Sequence, residues 1–323
     1  METKHVKIKY PLFSIEFCKS YLITMRPYLM FVSGVTGITG ISFGTSTFSA
    51  GYLLLFSAAF LSYGFGQALT DCFQIDTDSI SSPYRPLTKE LVSKSQIFVV
   101  SCFGMIYCVL VYSLFNPVNL ILGILAGTGL ATYTPFKRKW WAGPFYNSWI
   151  VGILFLMSVL SVSTGTPKLI YSLGAVFFGY SNFVLSGYFK DISADRATGY
   201  NTLPVVFGRK VSSIISDVFA FLTLVFSSAA VLLIFRNNYS SHSFISIIFL
   251  IIGTAVLVIA QVQLHLVHSD DEAYHPISYV VHSYILILSS VAAANKPEWG
   301  LFLMAYYFFY LFVLKIRPSK NQI

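Results

Sequence analysis

Ten apolar runs dominate this chain. They lie near residues 28–46, 49–70, 96–115, 117–134, 146–164, 168–190, 210–235, 242–267, 276–294 and 297–316. Each is long enough to cross the hydrocarbon of a bilayer as a helix, allowing for tilt. In lipid a continuous run of this kind is read as helix, because a helix satisfies its own backbone polar groups. The rest of the composition agrees: 55% of residues are hydrophobic, only 11% are charged, and the mean hydropathy is +0.70. A soluble domain carries about 25% charged residues. The expected fold is therefore all-α, a polytopic membrane bundle of nine to ten transmembrane helices. Residues 1–27 form a cytoplasmic or interfacial N-terminal segment, 28–316 the membrane domain, and 317–323 a C-terminal tail.

The basic residues orient the bundle. With the N-terminus placed in the cytoplasm, 18 of the 21 Lys and Arg fall on that side and only Lys168, Arg236 and Lys296 on the other. The positive-inside rule favours this orientation, with both termini and the loops after even-numbered spans cytoplasmic. The net charge of +8 then reports topology and calls for no nucleic-acid partner.

Acidic residues are scarce, 13 in 323, yet five of them crowd two stretches at cytoplasmic span ends. TDCFQIDTD (70–78) holds Asp71, Asp76 and Asp78; KDISAD (190–195) holds Asp191 and Asp195. If the helices run on through these stretches, Asp71, Gln74 and Asp78 share one face and Asp191 and Asp195 another, while Asp76 points about 140° away from Asp71. Two carboxylate faces at one depth suit Mg²⁺, which takes one or two carboxylates together with substrate phosphate oxygens. Arg85, Lys137, Lys139, Lys190 and Arg196 lie nearby in sequence and suit the same anion.

Other polar residues read more plainly. Cys18, Cys72, Cys102 and Cys108 show no pairing or metal spacing. His265, His268 and His275 bracket an acidic loop, HSDDE, read as ordinary polar surface. Asn147 and Asn182 are read as interhelical hydrogen-bonding groups, and Asp217 as interfacial. Most of the 30 Phe, 21 Tyr and 4 Trp suit interfacial belts and helix packing.

The two acidic stretches resemble the paired signatures of the UbiA-type intramembrane prenyltransferases. TDCFQIDTDSISSPYRPL is similar to N-D-x-x-D-x-x-x-D followed by Y-R-P. KDISADRATGYNTLPVVFG is similar to D-x-x-x-D with a downstream G-x-x-x-L-P-V-x-x-G. The wording looks closest to the chlorophyll synthase branch, and YTPFKRKWWAGPFYN (133–147) resembles the same family's fourth-to-fifth connection. The resemblance implies helices around a central cavity open to lipid, and Mg²⁺-dependent use of an isoprenyl diphosphate. By position, Asp71 and Asp78 match the outer aspartates of the first motif, and Asp191 and Asp195 match the second. Thr70 stands where the family has Asn, Gln74 where it has the middle Asp, and the tenth apolar run exceeds the family's nine spans.

The expected activity is transfer of an isoprenyl group to an aromatic or lipid-like acceptor. Asp71, Gln74, Asp78, Asp191 and Asp195 would serve Mg²⁺, and Arg85, Lys137, Lys139, Lys190 and Arg196 the diphosphate. Cyclisation of the prenyl diphosphate without an acceptor is the alternative reading. Non-catalytic lipid binding or transport is a third.

Overall fold

A computed structural model describes residues 9–45, 48–163, 169–238 and 243–317. Lys4, Lys7, Lys168 and Lys320, used above for orientation, lie outside the described residues. The order is α1 (Ile15–Met25), α2 (Pro27–Ile41), α3 (Ala50–Asp71), α4 (Ile75–Ser81), α5 (Lys94–Phe115), α6 (Val118–Lys139), α7 (Gly143–Leu160), α8 (Leu169–Tyr188), α9 (Ile192–Ala197), α10 (Leu203–Asn238), α11 (Phe244–His265), α12 (Tyr274–Asn295) and α13 (Gly300–Lys315).

Local signals mark several helix starts. Ser14 and Ser49 cap α1 and α3 by accepting from Phe17 N and Gly51 N. Ser93 and Gln96 form a reciprocal capping box at α5. Pro27 and Pro144 stand in the first turns of α2 and α7, where a missing N–H costs nothing.

Among the described residues, nine helices are long and apolar enough to cross a membrane. The tenth expected run is among them, as Pro297–Lys315. The first is not. The run 28–46 was expected to span, but α2 ends at Ile41 and a turn follows over residues 42–45. Its 15 residues reach only about 22 Å. All but its first residue are buried, so it stands inside the bundle against α3, α7 and α12.

The centre of the bundle is α12, buried along nearly its whole length. It packs between α2, α8, α10 and α11. Thr36 and Thr39 of α2 bond Tyr284 Oη and the Leu288 carbonyl of α12, at 2.8 and 3.2 Å. The outer helices expose apolar faces, such as Phe103, Ile106, Leu110 and Leu114 on α5 and Ile251, Val258 and Val262 on α11. Apolar surface on this scale is a lipid-facing surface. The chain is an integral, multi-pass membrane protein. The breaks that carry both acidic motifs fall at one end of this bundle, where α3, α6, α8 and α11 finish and α5, α7, α10 and α12 begin.

Candidate active site

Two helix breaks build the site. The shared faces expected from the sequence assume helices that run on through the aspartates, and α3 and α8 do not. α3 stops at Asp71, and Gln74 (φ −122°, ψ 20°) starts the short α4. α8 stops at Tyr188, and Asp191 (φ −115°, ψ 7°) starts the short α9. The long helices stop where their apolar residues give out, so Asp71 ends α3 while Asp78, Asp191 and Asp195 sit on or at the start of short helices across the end of the bundle. The backbone N–H of Asp78 bonds the Gln74 carbonyl at 2.9 Å, and that of Asp195 bonds the Asp191 carbonyl at 2.7 Å. Each pair is therefore one helical turn apart, and Gln74 occupies the place in its half that Asp191 occupies in the other. The hydroxyls of Thr77 and Thr198, 2.9 Å apart, tie the halves together.

Four buried or half-buried carboxylates face four cations. Arg26 Nη2 reaches both oxygens of Asp71, at 2.9 and 3.0 Å, and Gln67 Nε2 donates to Oδ1 at 2.6 Å. Arg85 Nη1 lies 2.6 Å from Asp78 and 3.9 Å from Asp71, bridging the two helices of the first motif. Lys190 Nζ contacts both oxygens of Asp191, at 3.0 and 2.8 Å. Lys137 Nζ is 3.4 Å from Asp195, which also accepts from Thr202 at 3.1 Å and has no exposed surface. Lys137 further lies 3.5 Å from Gln74 Oε1 and under the rings of Tyr188 and Tyr200, at 4.8 and 5.1 Å. It touches both motifs. The Gln74 amide donates to Thr134 Oγ1 at 3.3 Å.

Burial and these partners separate the carboxyl groups. Burial pushes Asp78 above the ordinary aspartate range, against the pull of Arg85. Asp195 is likewise raised by burial, with Lys137 opposing and Asp191 reinforcing. Burial acts on Asp191 too, but Lys190, Lys137 and Arg85 together hold it below the ordinary value. Burial lowers Lys190, which Asp191 only partly offsets.

The other expected residues are not brought in. Asp76 points outward, as its phase predicted, and pairs with Arg138 at 2.6 Å where both side chains are about 40% exposed. Lys139 and Arg196 were expected at the diphosphate; both are exposed and neither lines the cavity, because each is displaced by a residue or two from the inward face that Lys137 and Asp195 occupy. Two contributors were missed. Arg26 was counted only for orientation, although an Arg-Pro step at a helix junction is a visible signal. It sits in the left-handed region (φ 53°) that a non-glycine residue adopts at some cost. Gln67 lies one turn before Asp71, a spacing that was also readable.

Behind this polar end lies a cavity of about 220 Å³. Arg26, Gln67, Gln74, Lys137, Lys190 and Asp191 line its mouth. From there it follows a stripe on α6, Tyr133, Leu130, Ala126 and Gly123, toward the far side of the membrane. Met105, Cys108 and Val109 of α5 and Ile150, Leu154 and Met157 of α7 form the facing walls. Tyr112 closes the bottom, its hydroxyl 2.8 Å from Ser158 Oγ. Asn119 braces that floor from below through the Tyr112 and Met157 carbonyls and Ser161, at 3.0, 3.3 and 2.9 Å. A polar end of matched charges on a long apolar slot suits an anionic headgroup with a hydrocarbon tail.

Comparison with known proteins agrees with this geometry. The UbiA prenyltransferase family matches residues 31–285. A digeranylgeranylglyceryl phosphate synthase of Methanococcus aeolicus is 31% identical over 161 residues, 49% of this chain and 57% of that protein. The Pyrococcus horikoshii synthase of the same name is 24% identical over 220 residues, 65% and 76% of the two chains. A UbiA homolog from Aeropyrum pernix K1 superposes with a TM-score of 0.68 at 16% identity, covering 81% of this chain and 96% of that one. An Archaeoglobus fulgidus homolog solved with GPP and Mg²⁺ gives 0.61 at 14%, covering 86% and 99%. The likeness to the chlorophyll synthase branch is corrected by these relatives. The motif wording that suggested it belongs to the charged end of the site, whereas the matches run over long stretches of the helices. Two broken-helix carboxylate motifs, an apolar slot behind them and a family match over most of the chain lead to one assignment: this protein belongs to the UbiA prenyltransferase family.

Proposed function

We propose that the protein transfers an isoprenyl group from an isoprenyl diphosphate to a lipid-like acceptor, with Mg²⁺ at the aspartates. The observation that carries this is the charge-matched mouth on a long apolar slot. Among the described residues, no three His, Cys, Asp or Glu side chains stand together as a preformed metal cage. The donor set nevertheless fits Mg²⁺ arriving with a diphosphate. Four hard carboxylates are each held by a cation that suits phosphate oxygens equally well. Asp71, Asp78, Asp191 and Asp195, with Gln74 beside them, would hold the metal, and Arg26, Arg85, Lys137 and Lys190 would hold the diphosphate oxygens. The metal would supply charge neutralisation on the leaving group.

The chain's own residues do the rest. The four cations hold the diphosphate at the mouth while the tail lies along α6. The C1–O bond breaks with its electron pair leaving on the diphosphate. The allylic cation that remains lies among Tyr63, Tyr133, Tyr180 and Tyr188, whose ring faces favour positive charge. The apolar walls exclude water from it. An acceptor nucleophile then attacks C1 and loses a proton. The names of the curated relatives favour a lipid-like, glyceryl phosphate acceptor over an aromatic one. The motif-bearing end, rich in Lys and Arg, is assigned to the cytoplasm.

The test is diphosphate release by purified protein with geranylgeranyl diphosphate and Mg²⁺, with and without a prenylglyceryl phosphate. Asp71→Asn and Asp195→Asn are each expected to lower release by about a hundredfold or more, the scale of losing one electrostatic contact to developing charge. Full Mg²⁺-dependent release by either variant would overturn the site. Cyclic hydrocarbon formed without acceptor would replace transfer with cyclisation.

A further inference from the structure

A second depression opens on the other face of α9, at the same end of the bundle. α9 turns Asp191 and Asp195 toward the first site and Ile192 and Arg196 toward this one. The remaining walls come from the start of the long part of α10 and the end of α11, enclosing about 570 Å³. α10 bends at Gly208, whose backbone (φ 77°, ψ 170°) lies in a region closed to other residues. A Cβ there would meet nothing within 4 Å, so the space in front of the bend is open. Arg209 and Lys210 follow at once.

The depression is lined by basic side chains, offset in part by neighbouring acids. Arg196, Arg209, Lys210, His265 and His268 all line it. Asp270 takes Arg209 through Nη2, Asp217 takes His265 at 2.7 Å, and Glu272 accepts from the His268 backbone at 2.7 Å. Among the described residues, no hydrogen-bond or ion-pair partner engages the side chain of Arg196 or Lys210. Arg209 Nε is buried with no hydrogen-bond partner, a donor that an incoming anion would satisfy. Phe207, Val211 and Ile214 of α10 and Val262 and Leu266 near the end of α11 are exposed on the same two helices. Basic side chains at the end of spanning helices, bordered by lipid-facing apolar groups, match the headgroup level of a bilayer.

We propose that this depression binds a phosphate-bearing headgroup, that of an anionic phospholipid whose acyl chains lie along α10 and α11. The site is separate from the aspartates and uses none of the cations assigned to the diphosphate. The test uses purified full-length protein in neutral detergent, scored by native mass spectrometry and by thermal melting with phosphatidylglycerol, phosphatidylcholine or inorganic phosphate. Phosphatidylglycerol is expected to be retained and to raise the melting temperature, less so at high salt. Phosphatidylcholine is expected to do neither. Arg196→Gln with Lys210→Gln is expected to weaken retention about thirtyfold, the weight of two surface cations against an anionic lipid. Lys210→Gln alone, at an exposed position, gives a smaller loss without endangering the fold. Equal retention of phosphatidylcholine, or unchanged phosphatidylglycerol binding by the folded double variant, would overturn the proposal. Equal protection by inorganic phosphate would overturn the lipid source.

Discussion

On the proposed function, the floor of the slot is expected to limit the length of the donor chain. Lys137, at the mouth, and Gly123, beside the floor, stand on one helix fourteen residues apart, about 21 Å at 1.5 Å per residue. An extended isoprene unit adds four main-chain bonds of about 1.5 Å at bent angles, roughly 5 Å. The slot is therefore expected to take at most four units, a longer chain meeting the ring of Tyr112. Replacing Tyr112 by Ala opens about one more unit of depth. Burying five further carbons at about 0.8 kcal/mol each is worth up to roughly 4 kcal/mol. Even half of that raises the ratio of kcat/KM for a five-unit over a four-unit donor about thirtyfold. Tyr112→Phe keeps the ring and loses only the Ser158 hydrogen bond, so it should leave the ranking of donors unchanged. Ala126→Phe, one turn nearer the mouth, should shift preference to two- or three-unit donors. The assay is turnover of two- to five-unit diphosphates, with melting curves to confirm folding, since Tyr112→Ala also sacrifices packing. Folded Tyr112→Ala and Ala126→Phe proteins that both keep the wild-type ranking would refute the floor.

Three further outcomes follow from the mouth. Gln74→Asp places a carboxylate opposite Asp191 and should lower the Mg²⁺ concentration for half-maximal diphosphate release about fivefold, through added ligand charge; an unchanged requirement would place Gln74 off the metal. Lys137→Met strands the fully buried Asp195, and breaking such a pair costs about 3–5 kcal/mol, read as a lower melting temperature. Adding Asp195→Leu should recover stability without activity. The raised Asp78 and Asp195 must be ionised to work, so diphosphate release should fall on acidification with a midpoint above the usual aspartate value of about 3.9. Stability of the ligand-free protein carries the opposite sign. Each raised carboxyl adds stability below its unfolded value that is lost as pH rises through its folded value. Asp191, held low, adds stability above its unfolded value that is lost on acidification. Melting temperature against pH should therefore flatten in Asp78→Asn.

What the sequence made legible follows the reach of each signal. Hydrophobic run length located all ten apolar helices, because lipid permits few alternatives for such runs. It overstated α2, since a helix wrapped in other helices is as apolar as one that spans and need not reach both faces. Helical phase put Asp76 outside the site, yet the continuous helices assumed for that argument are broken at residues 72–74 and 189–191. The inference survived because Gln74 and Asp78, like Asp191 and Asp195, remain one turn apart on the short helices that replace the continuation. Sequence proximity chose among the cations poorly. Lys137 and Lys139 are two residues apart and face different ways on α6, and which of them turns inward is decided by Asp195, 58 residues away. Arg26 was invisible as a site residue for the same reason: its partner Asp71 lies 45 residues on, and only the packing of α1 and α2 on α3 brings them together. Charges scarce enough to count were found by counting. Their pairing is a property of the bundle, and the bundle's pairing is what separates a diphosphate site from ten helices with acids at one end.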